Sequence, residues 1–235
     1  AQPLKPLFQR MSRIVRETAE ATGKEVRLVT EGEWTEVDKT VVERLADPLT
    51  HMIRNAIDHG VERPEERVAA GKDPLGFVKL SAAHRSGRVV IEVSDDGAGV
   101  HREKVRQIAI NKGLIAADAV LTETEMDNLL FLPGFSTVDR ITNVSGRGVG
   151  MDVVKRSIHA LSGRIFVKSK PGKGSTFTLS LPLTLAVLDG MVVDVDGQTL
   201  VAPLGAIVET MSLTGDRIRP FGETASVIKD RDGFV

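Results

Sequence analysis

The sequence predicts an α+β protein: a two-layer α/β sandwich, with helices on one face of a mixed sheet, followed by a smaller β-rich piece. Three observations predict it. Apolar residues recur at helical spacing at Leu7, Phe8, Met11, Ile14 and Val15, and again at Leu49, Met52, Ile53, Ala56 and Ile57. Two pairs of β-prone runs follow, 77–83 with 88–94 and 164–169 with 175–181, each joined through a glycine-marked turn. Past Pro182 the helical pattern gives way to short β runs flanking Asp196-Gly197, a strong hairpin signal.

Taken in order, residues 1–6 read as a tail or as the end of an upstream element. The helix begun at Leu7 ends at Gly23, well placed as a C′ glycine. Residues 26–29 alternate with charged neighbours and predict a strand, with 34–37 placed to pair with it. Asp47-Pro48 reads in two ways. It is either an N-cap followed by proline at the first helical position, or a kink in one long helix that also carries Val41, Val42 and Leu45. The buried stripe of that helix leaves His51, Asn55, Asp58 and His59 on its other face, and Gly60 closes it. Residues 61–76 are charged and marked by glycine and proline, and read as a surface connection.

The strand 88–94 runs directly into Asp95-Asp96-Gly97-Ala98-Gly99, with Asp96 expected to face solvent. Residues 101–112 and 123–132 read as helices. The polar, glycine-marked stretch 133–145 reads as a mobile loop, and the helix after Met151 runs to Gly163. Beyond Pro182, strands are expected at 191–195, 199–202, 207–211 and 226–228, too few residues for an independent barrel. The expected domains are a tail and helix at 1–22, a core domain at 23–182 and a partial second domain at 183–235.

Composition narrows the function. The net charge of −1 disfavours a global nucleic-acid or membrane field, so any phosphate site is local. Aromatics make up 4% and tyrosine is absent, which disfavours base-stacking platforms. No cysteine is present, so disulfides and thiolate metal sites are excluded, and a cytosolic home is allowed. No apolar run reaches membrane-spanning length, and the N-terminus lacks a signal-peptide pattern.

The stretch Gly146-Arg147-Gly148-Val149-Gly150-Met151 opens a helix. Alternate glycines let a ligand approach the backbone, and a helix N-terminus offers N–H groups to an anion. Phosphate is the leading ligand, with a plain glycine-rich turn as the other reading. A dinucleotide fingerprint would need glycine where Met151 stands, and no Walker Gly-Lys-Ser/Thr string occurs.

Three motifs stand in order: His51-x-x-x-Asn55 with Asp58-His59-Gly60, then Asp95-x-Gly97-x-Gly99, then Gly146-x-Gly148-x-Gly150. Together they resemble the N, G1 and G2 boxes of the GHKL ATP-binding superfamily. Residues 131–137, including Ser136 and Thr137, look like the F box of histidine kinases, and Lys173-Gly174-Ser175-Thr176 is similar to the closing Gly-x-Thr box. The wording of residues 51–60 resembles the CheA family of chemotaxis histidine kinases most. Leu183-Thr184-Leu185-Ala186 and the β-rich tail resemble the start of that family's CheW-like, SH3-like regulatory barrel.

The resemblance implies a GHKL-type sandwich with ATP and Mg²⁺ as cofactors. At the strand end, the Asp95 carboxylate would accept a hydrogen bond from the adenine amino group, with Gly97 and Gly99 clearing space and Thr176 helping through water. Asn55 would give an amide oxygen to Mg²⁺, which takes oxygen ligands and keeps several waters. His51, one turn earlier, would act as a general base or hold a substrate imidazole, with a reference pKa near ~6.5. Asp58 and His59 complete the first box; His59 is alternatively a cap on the helix end. Gly146, Arg147, Gly148, Val149, Gly150 and Met151 would present backbone N–H groups to the phosphates, and 133–145 would close as a lid. Where some members of the family carry a lid lysine, this chain has Val138, and Arg140 is the candidate substitute.

The implied activity is that of a protein-histidine kinase passing the γ-phosphoryl of ATP to a histidine on a separate phosphotransfer domain. Implied partners are that domain of CheA, a CheW-type adaptor, a chemoreceptor and downstream response regulators, with no nucleic acid and no membrane insertion. The implied location is cytoplasmic, at receptor arrays. Two other readings stand beside it: a non-catalytic nucleotide-sensing scaffold, and an ATPase acting on water. The second is disfavoured because His51 stands where such relatives carry a glutamate base.

Overall fold

The computed structural model describes residues 1–135, 150–183, 190–203, 218–221, 225–230 and 233–234. It divides into two compact units, Ala1–Ala186 and Val187–Val235. The elements of the first unit run β1 (Gln2–Pro3), α1 (Lys5–Thr22), β2 (Val26–Glu31), β3 (Glu36–Val37), α2 (Lys39–Asn55), a π-turn (Ala56–Gly60), α3 (Pro64–Ala69), β4 (Gly76–Arg85) and β5 (Arg88–Asp95). They continue with α4 (Arg102–Asn111), α5 (Glu123–Asn128), a 3₁₀ turn (Leu129–Phe131), α6 (Met151–His159), β6 (Arg164–Lys170) and β7 (Gly174–Pro182).

Five strands form a mixed sheet in the order β2-β4-β5-β7-β6. Only β2 and β4 are parallel, and the other neighbours are antiparallel. Strict alternation in β5 puts Val89, Ile91, Val93 and Asp95 on the covered face, while Val90, Glu92 and Ser94 stand on the other. The same period in β7 buries Ser175, Phe177, Leu179 and Leu181. Helices α1, α2 and α6 lay their apolar stripes on that face, with Phe8, Met11, Leu45, Leu49, Met52, Ile53 and Ile158 essentially fully buried. This is the expected mixed-sheet, two-layer architecture. A satellite core under α4 and α5 joins Val105, Ala109, Leu129 and Phe135.

Several local expectations change. Residues 1–6 are not a tail. Gln2 and Pro3 pair with Val37 and Glu36, Leu4 is fully buried, and the Lys5 ammonium lies 4.3 Å from the Trp34 ring centroid. Residues 36–37 therefore pair with the N-terminus and not with β2. Asp47-Pro48 does not start a helix. Pro48 sits inside α2, whose cap is Asp38, accepting the Thr40 N–H at 2.8 Å. The helix expected to reach Gly163 ends at His159, and the one expected over 123–132 tightens into the 3₁₀ turn after Asn128. Gly23 does close α1: its φ is 65°, and the Lys24 N–H returns to the Ala19 carbonyl at 3.0 Å.

In the second unit, β8 (Gly190–Val195) and β9 (Gln198–Pro203) form the hairpin expected around Asp196-Gly197, both in the left-handed region at φ 52° and 74°. Strands β10 (Ile218–Phe221), β11 (Ala225–Asp230) and β12 (Gly233–Phe234) form a three-stranded antiparallel sheet. The strand expected at 207–211 lies outside the described residues.

Candidate functional site

The first motif occupies the end of α2 and the π-turn. Here the Val61 N–H reaches back five residues to the Ala56 carbonyl at 2.8 Å. A π-turn widens the helix and frees carbonyls from the usual ladder, and such turns recur at functional sites. Two of them, Ile57 and Asp58, accept hydrogen bonds from the Lys24 ammonium at 2.5 and 2.8 Å. Burial lowers the Lys24 pKa, and the Asp58 carboxylate opposes that shift.

The turn delivers Gly60 against the end of β5. The Asp95 carboxyl is 7% exposed and faces Gly60, where a Cβ would come within 3.0–3.1 Å of its carboxyl atoms. A Cβ on Gly97 would lie 2.0 Å from the Gly60 carbonyl oxygen, and one on Gly174 only 1.9 Å from the Asp95 carbonyl oxygen. Side chains at these positions would fill the space in front of the carboxyl or push it aside. Asp95 Oδ1 accepts the Gly97 N–H at 2.9 Å. Burial pushes the Asp95 pKa up to about 6; hydrogen bonds from the Gly97 and Ser175 N–H groups pull the other way.

Neighbouring strand β7 corrects one expectation. Thr176 does not stand beside Asp95. It pairs with Ser94, and the two hydroxyls are 2.7 Å apart on the opposite face of the sheet. A one-residue change of phase moves a side chain across a sheet. Ser175 holds the inner position: its N–H reaches Asp95, and its hydroxyl lies 3.1 Å from that of Ser169. The signal was present in the sequence, because Ser175 shares the parity of Phe177, Leu179 and Leu181.

Asn55, at the last turn of α2, directs its amide nitrogen to the Met151 sulfur at 3.0 Å. That contact joins the first motif to the start of α6. Its amide oxygen is thereby the end left for another ligand. His51 is half-buried one turn earlier; burial and then Arg54 lower its pKa, against Asp152 and Asp58. It therefore favours the neutral imidazole, the form a base requires. Asp58 is half-buried and His59 exposed on the π-turn. Gly150 caps α6 without a side-chain cap, and Met151 starts the helix. Gly99 has a φ of 76°, and its Cβ would lie 2.6 Å from the Lys170 carbonyl oxygen. Ser136, Thr137, Gly146, Arg147, Gly148 and Val149, and the expected lid from 136 on, lie outside the described residues.

The segment read as a surface connection contains the most deeply buried charge among the described residues. Arg67 on α3 is 1% exposed and pairs with Asp96 at 2.7 Å and Glu62 at 3.0 Å. Asp96 thus turns inward onto an arginine instead of facing solvent. Lys72 joins Glu62 at 2.6 Å. Removing one partner of a buried pair costs about 3–5 kcal/mol, because the other charge stays behind. Nothing in the periodicity marks Arg67, since an isolated arginine in a polar segment normally reads as solvated.

No group of three or more His, Asp or Glu side chains capable of holding a metal ion occurs among the described residues. Among the described residues no helix is long and apolar enough to cross a membrane.

Residues 44–185 match the family of histidine kinase-, DNA gyrase B- and HSP90-like ATPases, and the chain belongs to that family. Within it, the chain is similar to chemotaxis protein CheA: 68% identical to that of Rhizobium meliloti over all of this chain and 31% of the relative. It is 62% identical to that of Cereibacter sphaeroides, over all of this chain and 34% of the relative. The chain thus spans about a third of the length of these relatives. The solved catalytic domain of histidine kinase ThkA matches with a TM-score of 0.48 at 18% identity, over 78% of this chain and 96% of that one.

Proposed function

We propose that this chain is the ATP-binding catalytic part of a CheA-type protein-histidine kinase. It would bind Mg·ATP and pass the γ-phosphoryl to a histidine on a separate phosphotransfer domain, in bacterial chemotaxis two-component signalling. One observation carries the reading. Asp95 is a buried carboxyl with no cationic partner among the described residues, facing a space kept open by Gly60 and Gly97. A buried carboxyl is costly without partners, and an adenine amino group is a donor that would repay its burial.

Each residue has a part in that reading. Asp95 accepts from the adenine amino group, and Ser175, in the place expected for Thr176, supports the same edge. The bound cofactor supplies the transferable phosphoryl and the cation that neutralises its oxygens. Asn55 holds the cation through its amide oxygen. The N-terminus of α6, at Gly150 and Met151, presents N–H groups to phosphate. His51, kept neutral by burial, orients the acceptor imidazole or takes its proton. Transfer of this kind rests mostly on positioning and charge stabilisation. The β-rich second unit is read as the start of a CheW-like, SH3-like domain. Through it the chain would join an adaptor and a chemoreceptor at cytoplasmic arrays, with response regulators downstream.

The test is transfer from γ-labelled ATP. The chain alone should bind ATP without labelling itself. Adding a histidine phosphotransfer domain from the same system should give slow labelling of that domain, because the untethered reaction is bimolecular. His51→Gln should keep ATP binding and lose most transfer. Binding without any transfer would support the scaffold reading, and release of free phosphate alone would support the water-directed ATPase.

A further inference from the structure

We propose that Arg67, assisted by Lys72, is the positioning residue of the nucleotide pocket: it fixes the Asp96–Gly97 peptide, and that peptide fixes the Asp95 carboxyl. The inference rests on the nucleotide-binding reading of Asp95.

The hydrogen bonds converge on one short loop. Arg67 Nη2 donates to Asp96 Oδ2 at 2.7 Å, and Nη1 reaches Asp96 Oδ1 at 3.2 Å and the Asp96 carbonyl at 3.3 Å. Its Nε is held by the Asp73 carbonyl at 2.7 Å, which fixes the guanidinium plane. Lys72 Nζ donates to the Asp96 carbonyl at 3.0 Å and the Gly97 carbonyl at 2.8 Å. The Phe77 N–H adds a bond to Asp96 Oδ1 at 3.0 Å. All these donors come from the stretch 67–77.

The Asp96 carbonyl and the Gly97 N–H belong to the same peptide unit. That unit is planar and trans, so its two polar groups point in opposite directions and move together. Its carbonyl is gripped from behind by Arg67 and Lys72. Its N–H donates forward to Asp95 Oδ1 at 2.9 Å. A shift at Arg67 is therefore transmitted through one rigid plane to the carboxyl. The same guanidinium also neutralises Asp96, whose charge, with that of Glu62, opposes ionisation of Asp95. Buried ion pairs add little net stability over apolar substitutes. Replacing Arg67 alone, however, leaves Asp96 and Glu62 without it and lowers stability as well, so the loop geometry, and not the melting temperature, separates positioning from folding.

The experiment compares the full chain with Arg67→Met, Arg67→Lys and Lys72→Met. ADP affinity is measured by calorimetry, the Gly97 amide proton by NMR, and the fold by circular dichroism. Arg67→Met should weaken ADP binding about 10- to 100-fold, by analogy with the range lost when groups that orient metal-ligating side chains are removed. It should also move the Gly97 amide resonance. Arg67→Lys should recover part of both, and Lys72→Met should show the same changes in smaller measure. Arg67→Lys and Lys72→Met chains that are folded, bind ADP as the wild type does and leave the Gly97 amide in place overturn the inference, even if Arg67→Met fails to fold. Loss in Arg67→Met without recovery in Arg67→Lys or change in Lys72→Met assigns the arginine to folding and also overturns it. A wild-type chain that does not bind ADP overturns the nucleotide reading, and this inference with it.

Discussion

The Asn55 amide nitrogen lies 3.0 Å from the sulfur of Met151, although the two residues are 96 positions apart in the chain. The contact orients the amide, so the oxygen is committed to the opposite side. Asn55→Ala is therefore expected to remove the tightening of ATP binding by Mg²⁺, with little effect on nucleotide binding without metal. Titrations with and without Mg²⁺ check this. Unchanged magnesium dependence would mean that Asn55 is not the ligand.

Asp95 links stability to pH with a definite sign. Its folded-state pKa is raised from 3.8 to about 6 by burial. Between those values the folded chain holds a proton that the unfolded chain has lost, so stability falls as pH rises through the window. Above it the full cost is about 3 kcal/mol. Asp95→Asn should therefore stabilise the nucleotide-free chain at about pH 8 by up to that amount, with the gain vanishing below about pH 4. It should at the same time weaken ADP binding. Urea denaturation across pH, with an ADP titration, tests both halves. A variant less stable than the wild type at high pH would sink the argument.

Ser175 and Thr176 are adjacent but sit on opposite faces of β7. Ser175→Val is expected to weaken ADP binding, because it places two methyl groups beside Asp95 and removes the hydroxyl near Ser169. Thr176→Val loses only the bond to Ser94, worth about 1 kcal/mol of stability. It should leave ADP affinity alone. The reverse ranking in calorimetry would restore the role first expected for Thr176.

Lys24 closes the π-turn from outside the motif. Lys24→Met leaves the Ile57 and Asp58 carbonyls without that donor and should cost about 1–3 kcal/mol of stability, as for hydrogen bonds made by a charged group. Because the turn carries Gly60 to Asp95, ADP affinity should fall as well. Denaturant unfolding reads the first effect and calorimetry the second. A variant with wild-type stability would show that water serves those carbonyls equally well.

The layered fold was legible because its signals are periodic. The stripe at Leu49, Met52, Ile53 and Ile57 and the alternation through Val89, Ile91 and Val93 each state which side faces the core. Motif order and those phases marked Asn55, Asp95 and Gly97 as candidate site residues. What stayed hidden depends on partners distant in sequence. Leu4 and Gln2 look like a loose end until Thr35 and Val37 come to meet them. Pro48 reads equally as a helix start or as a proline inside one long helix, and only its burial in α2 decides for the second. Arg67 and Lys72 look solvated until the carbonyls of Asp96 and Gly97 appear in front of them. Which of Ser175 and Thr176 shares the face of Asp95 could be read from the alternation of their strand.

The order of strands has a consequence for how the molecule comes together. Strands β4 and β5 are joined by a tight turn at Ser86-Gly87, and β6 and β7 by another at 171–173, so each pair closes locally. The junction between the pairs, β5 against β7, joins residues such as Ser94 and Thr176 that are 82 positions apart. Loop closure makes such a pairing entropically dearer than either hairpin, and non-local pairing slows folding. Asp95 and Ser175 lie at the end of that seam. Competence to bind a nucleotide is thus expected late in refolding, after the hairpins have formed. A nucleotide held there would act as a clasp on that seam, and its reopening is the motion that binding is expected to resist first.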